Sequence, residues 1–179
     1  MRNNHFCAVN QLTITRGNHQ RRTDILLYIN GLPLVVIELK NLTDENTTIH
    51  NAYNQIQTYI TQIEQLFYTN ALCIISDGIE AKMGTITSDI DRYMSWKSID
   101  GESMGSKVRQ WETLVNGALK PSVLLDLIHN FITFQTNGEE NFKILAAYHQ
   151  YFAVQKAVHS TLNAVGMFKQ VGHPATHKA

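Results

Sequence analysis

Asp24-Ile25-Leu26-Leu27-Tyr28-Ile29-Asn30-Gly31-Leu32-Pro33-Leu34-Val35-Val36-Ile37-Glu38-Leu39-Lys40 is the stretch whose reading decides the fold. Residues 24–29 read as one strand and residues 34–40 as the next. Asn30-Gly31 between them is the strongest short hairpin signal. The second strand is apolar at consecutive positions, which suits burial on both faces. Glu38 and Lys40 stand two apart, so their side chains leave the same face. Burying a carboxylate and an ammonium is costly unless they pair or bind something. Asp24 lies on the neighbouring strand. Two carboxylates and a lysine on adjacent strands are a donor set for a hard divalent cation such as Mg2+. Such a cation polarises a phosphodiester and acidifies a bound water, while a lysine steadies negative charge. On spacing alone, an ion pair at a strand end accounts for the same residues.

Register separates the two readings. A strict two-residue turn pairs Ile29 with Leu32, and hence Asp24 with Ile37, turning Asp24 away from Glu38. The metal reading therefore requires an odd-length loop or a bulge near Gly31-Leu32-Pro33 that sets Asp24 opposite Glu38. The expectation is a hairpin that is not a plain two-residue turn.

Working outward, residues 6–15 suggest a preceding strand. Thr47 or Thr48 can cap a helix whose apolar stripe runs through Ile49, Ala52, Tyr53, Ile56, Tyr59, Ile60, Ile63 and Phe67. Residues 71–76 are another buried strand, residues 79–86 a weaker one, and residues 93–96 a short one. Residues 98–105 read as a loop. Helices follow, one capped by Ser106, one opened by Pro121 and one over residues 148–164 ending at Gly166. Residues 136–141 look like a linker, and residues 167–179 like a fraying tail. The fold class is α/β: a small mixed sheet with a flanking helix, then an all-helical annex.

The chain has 179 residues, 44% of them hydrophobic and 17% charged, an ordinary globular composition. It contains no apolar run of membrane-spanning length and opens on no secretory leader, so a cytoplasmic location away from membranes is expected. Cys7 and Cys73 sit in apolar segments and read as small buried hydrophobes of a reducing compartment. Fifteen basic residues balance fifteen acidic ones, which speaks against a strong independent nucleic-acid binder. The balance is uneven, however. Residues 1–40 hold five bases and two acids, residues 41–91 one and seven, and residues 92–179 nine and six. The basic cluster at residues 16–22 reads as a solvated loop. Arg21 and Arg22, just ahead of Asp24, are candidates for positioning a substrate.

The neighbourhood of Asp24 tips the reading. Val9-Asn10-Gln11, Arg22-Thr23-Asp24-Ile25, the block from Asn30 to Asn41 and Ile75-Ser76-Asp77-Gly78 together resemble the PD-(D/E)xK nuclease core. More specifically, they resemble the N-terminal region of the restriction (R) subunit of type I restriction–modification enzymes. The likeness resumes in Leu124-Leu125-Asp126 and Tyr148-His149-Gln150-Tyr151-Phe152-Ala153-Val154, covering nearly the whole chain to about residue 164. One departure is Thr23, where the family usually has proline. The resemblance implies a restriction-endonuclease-like sheet in which Asp24 and Glu38 bind Mg2+ and Lys40 is catalytic. Gln55-Ile56-Gln57-Thr58-Tyr59 fits the family's Gln-x-x-x-Tyr motif, which implies that Gln55 and Tyr59 touch the active site or the DNA. Spacing alone makes Tyr59 core and Gln55 solvated.

The family continues into an ATP-driven translocating motor. Here no G-x-x-x-x-G-K-S/T is present, and residues 101–107 have the wrong spacing for a phosphate loop. No nucleotide site is therefore expected in this chain, although His149 and Gln150 lie where the family approaches its nucleotide; ATP belongs to the full-length family protein only. Against that family the chain reads as a fragment, with residues 1–120 an incomplete nuclease core, residues 121–166 a helical segment leading toward the motor, and residues 167–179 a disordered tail. The implied function is Mg2+-dependent hydrolysis of double-stranded DNA in host defence, with methyltransferase and specificity subunits as partners. A catalytically inactive remnant or docking module is the alternative, and a stand-alone nuclease of the same fold a third reading. The eight histidines offer no rival catalytic grouping.

Overall fold

The computed structural model describes residues 3–40, 48–105 and 108–166. Its centre is a five-stranded mixed sheet built from β1 (Phe6–Asn10), β4 (Ile25–Ile29), β5 (Leu32–Leu39), β6 (Leu72–Ser76) and β7 (Ala81–Gly84), in that spatial order. β5 and β6 run parallel, and every other neighbouring pair is antiparallel. The parallel pair demands a crossover. Helix α1 (Ile49–Gln62) supplies it, followed by a 3-10 turn at Glu64–Phe67. This is the mixed α/β architecture expected of a restriction-endonuclease-like core.

Both faces of the sheet are covered, which explains the unbroken apolar run in β5. On one face Leu26, Val36, Cys73 and Ile75 pack against Ile49, Ala52, Ile56, Tyr59 and Ile63. On the other, Val35, Ile37, Leu72 and Ile74 meet α2 (Gln110–Asn116) and α3 (Pro121–Asn130) through Leu114, Leu124 and Leu127. Trp96, 2% exposed, joins α4 (Tyr148–Ala164) to that second layer, its ring centroid 5.6 Å from Tyr151 and 5.7 Å from Phe152.

Several sequence expectations are corrected. Residues 6–15 are not one strand: Gln11 adopts φ +52° and turns the chain out of β1 into β2 (Thr13–Arg16). The basic cluster is not a loop, because β2 pairs with β3 (His19–Arg22) around Gly17-Asn18, a hairpin signal in its own right. The helix expected through Phe67 stops at Gln62, since Ile63 leaves helical geometry at φ −132°. Residues 93–96 contribute one isolated bridge, Met83 with Met94, rather than a strand. The annex is not all helical. Residues 136–141, read as a linker, are the end of a hairpin between β8 (Ile132–Asn137) and β9 (Glu140–Leu145), turning at Gly138 with φ +63°. Cys73 is buried as expected, but Cys7 is exposed, because β1 is an edge strand. The expected Ser106 cap and the tail beyond residue 166 lie outside the described residues. Among the described residues, no helix is long and apolar enough to cross a membrane.

Candidate active site

The β4–β5 register resolves the problem posed by Asn30-Gly31. Contrary to the expectation of an irregular turn, the turn itself is a plain two-residue one: Asn30 and Gly31 both take positive φ, +53° and +83°, and Ile29 faces Leu32. Further along, Leu27 pairs with Val35 while Tyr28 pairs with Pro33, so Leu34 is the extra residue of a β-bulge. From there Leu26 faces Val36 and Ile25 faces Ile37. The next step brings Asp24 level with Glu38. Leu26 and Val36 belong to the α1 face, so by alternation Asp24, Glu38 and Lys40 share that face.

The three groups are held tightly. Asp24 Oδ2 accepts the Leu39 backbone N–H at 2.8 Å. Glu38 is 3% exposed. Its Oε1 accepts from Lys40 Nζ at 2.7 Å, and its Oε2 lies 3.1 Å from Tyr59 Oη. That phenol also donates toward the Arg22 carbonyl at 2.9 Å. The Lys40 N–H donates to the Ser76 carbonyl at 2.7 Å, tying the end of β5 to β6. Burial pushes the Glu38 carboxyl above its ordinary range; the Lys40 hydrogen bond opposes the rise, and the Asp24 charge adds to it. Burial and the Glu38 charge likewise raise the Tyr59 phenol.

Two carboxylates under mutual repulsion, one of them desolvated, are a donor set whose tension a hard cation relieves. Among the described residues no group of three or more His, Cys, Asp and Glu is gathered for a metal. Mg2+ asks for less, because it keeps several waters and is commonly held by one or two carboxylates. The residues present therefore fit such an ion.

The structure also places the other anticipated residues. Gln55 is half-buried on α1, about one helical turn before Tyr59. Arg21 and Arg22 lie on β3 and differ: Arg22 is exposed, while Arg21 is half-buried with its Nε lacking a partner. His149 and Gln150 are not brought to this site. They sit on α4, which packs on the opposite sheet face, where His149 meets the Tyr148 ring edge-on and Gln150 Oε1 accepts the Ala147 N–H. One contributor escaped sequence reading. Gln11, strained at φ +52°, donates its N–H to the Asp24 carbonyl at 2.8 Å and so fixes the entry to the acidic residue. The only signal for it is its place in Val9-Asn10-Gln11.

A family model described as the N terminus of the type I restriction enzyme R protein matches residues 1–92. This chain belongs to that family. Among its relatives, the type I restriction enzyme HindI endonuclease subunit of Haemophilus influenzae is 42% identical over 165 residues, covering 89% of this chain and 16% of the relative. The putative type I restriction enzyme MjaIXP endonuclease subunit of Methanocaldococcus jannaschii is 29% identical, covering 90% and 17%. A Staphylococcus saprophyticus endonuclease subunit, SsaAORF53P, is 27% identical, covering 87% and 16%. The chain thus spans about a sixth of the length of the R proteins it matches.

Proposed function

We propose that this chain is the nuclease module of a type I restriction R protein and hydrolyses phosphodiester bonds of double-stranded DNA with Mg2+. The observation that carries the reading is the bulge at Leu34, which puts Asp24 on the same sheet face as Glu38 and Lys40. Without it, the acidic pair would be divided between two faces.

Asp24 and Glu38 would hold the ion. Bound there, a divalent cation supplies Lewis-acid polarisation of the phosphate and a water of lowered pKa. Lys40 has its ammonium on Glu38 Oε1, where it can steady the incoming hydroxide or the charge developing on phosphorus-bound oxygen. Tyr59, anchored on α1, restrains the second Glu38 oxygen, and Gln55 stands about one helical turn away on the same helix, where it can position the strand. In the reaction an oxygen–phosphorus bond forms from water and one ester P–O bond breaks.

Equal numbers of bases and acids suit a module that by itself binds DNA weakly and without sequence choice. Sequence choice would come from specificity and methyltransferase subunits, and ATP use from other parts of the longer family protein, in the service of defence against foreign DNA. The test is a Mn2+ and Mg2+ titration of wild type, Asp24→Ala and Lys40→Ala, with nicking of supercoiled DNA measured alongside. Wild type should bind metal and nick. Asp24→Ala should lose both, and Lys40→Ala should keep metal binding while nicking falls about 10²-fold or more. Metal binding unchanged in Asp24→Ala would refute the assignment.

A further inference from the structure

We propose that the outer face of the β2–β3 ribbon is the surface against which the sugar–phosphate backbone of duplex DNA lies beside the site; this rests on the nuclease reading above. Residues 13–22 hold three arginines and one histidine and no acidic residue, within a chain of zero formal charge. The pairing of Thr13 with Arg22, Ile14 with Arg21, Thr15 with Gln20 and Arg16 with His19 divides the ribbon into two faces.

The inner face is committed to the protein. Ile14 packs against the α1-side core, Arg21 is half-buried, and Arg16 forms an ion pair with Glu64 beyond the end of α1. The outer face carries Thr13, Thr15, Gln20 and Arg22, all exposed. None of these four side chains has a hydrogen-bond or ion-pair partner among the described residues. Two hydroxyls, an amide and a guanidinium are the groups that contact phosphate oxygens without reading sequence. A two-stranded ribbon is also of a size that a DNA groove admits.

Position links the ribbon to the chemistry. β3 runs through Thr23 directly into Asp24. Tyr59 Oη lies 2.9 Å from the Arg22 carbonyl and 3.1 Å from Glu38 Oε2, so one hydroxyl separates the ribbon backbone from a candidate metal ligand. A strand whose scissile phosphate reaches Glu38 passes within side-chain reach of Arg22. The ribbon thereby sorts its own arginines: Arg22 faces DNA, while Arg16 and Arg21 secure the ribbon to the body.

The test uses the full chain and a fluorescently labelled duplex, with anisotropy read across a salt series and no divalent cation present, so that cleavage does not intervene. Arg22→Ala should weaken binding about tenfold at low salt, the loss of one charge-assisted hydrogen bond. It should also reduce the salt slope by about one. The triple variant Thr13→Ala, Thr15→Ala, Gln20→Ala should weaken binding about fivefold with the slope unchanged. Arg16→Ala should stay within about twofold of wild type, because Arg16 lies on the face turned to the body and its exposed ion pair adds little to the hold that Ile14 and Arg21 already give the ribbon. No duplex binding by wild type, wild-type binding by Arg22→Ala, or an equal loss in Arg16→Ala would each overturn the proposal. Mn2+ calorimetry on the same samples keeps the two readings apart. Intact, Asp24-dependent Mn2+ binding beside an indifferent ribbon refutes the ribbon alone, whereas Mn2+ binding that does not need Asp24 refutes the nuclease reading.

Discussion

Replacing Glu38 by glutamine should stabilise this protein at neutral pH while removing its affinity for metal. Glu38 is nearly inaccessible, and burial is the largest influence on its carboxyl, raising it above the ordinary value of 4.5. Below that value the group is protonated in both folded and unfolded chains and costs nothing. As pH rises past 4.5 the unfolded chain ionises freely while the folded one resists, so stability falls until the folded group has also ionised. Glutamine escapes that loss. Against the gain stand the contacts from Lys40 and Tyr59. The Lys40 side chain is 24% exposed, however, and its ammonium can turn to water once the carboxylate is gone. Because burial raises the carboxyl and the partly exposed Lys40 is not left as a buried uncompensated charge, removing the Glu38 charge should stabilise by about 1 kcal/mol at pH 8. For a domain of this size that is roughly 2–4 °C in Tm. Thermal melts of Glu38→Gln and wild type at pH 4.5, 6 and 8 should show the difference opening with pH. Adding Mn2+ at about a hundred times its Kd should stabilise wild type by roughly 2.7 kcal/mol and the variant hardly at all, reversing their order. A variant that melts below wild type at pH 8 without metal, or by a margin independent of pH, would refute the reasoning.

Two further outcomes follow from packing. The Tyr59 phenol has one proton and faces two acceptors, Arg22 O and Glu38 Oε2; Tyr59→Phe should cost about 1.5–2.5 kcal/mol in urea denaturation, and an unchanged midpoint would discount this contact. At Gly117 an added Cβ would lie 2.8 Å from the Thr113 carbonyl and against the Trp96 indole, itself enclosed by Tyr148, Tyr151 and Phe152. Gly117→Ala should therefore destabilise by about 2 kcal/mol or more yet leave Mn2+ binding intact by calorimetry, because the clash is on the far side of the sheet from Glu38.

The order β4, turn, β5, α1 and β6 was legible because each element has its own local signal: Asn30-Gly31 for the turn, an unbroken apolar run for a strand covered twice, and a 3.6-residue stripe for the helix. Two hairpins were not read, although Gly17-Asn18 and Asn137-Gly138 each mark one. The surrounding β2, β3 and β8 bury little, so the alternation that usually announces a strand is weak there. Cys7 escaped for a related reason, since apolar neighbours in sequence do not tell whether a strand lies at the edge.

The site divides in the same way. The sequence by itself determined which groups were available, Asp24, Glu38, Lys40, Gln55 and Tyr59, and put Glu38 and Lys40 on one face, because alternation along a strand is local. Whether Asp24 joined them depended on one extra residue opposite Leu27 and Tyr28, and nothing local distinguishes Leu34 from its apolar neighbours as the residue that bulges. Only the tertiary structure decided that, because Leu34 and Val35 both turn to the annex-side core while Val36 turns to α1. The tertiary structure also decided that Tyr59 is at once core and a partner of Glu38, that Arg21 and Arg22 face opposite ways, and that His149 lies across the sheet from the metal-binding candidates. Each of these depends on what packs against a residue, which spacing along the chain does not encode.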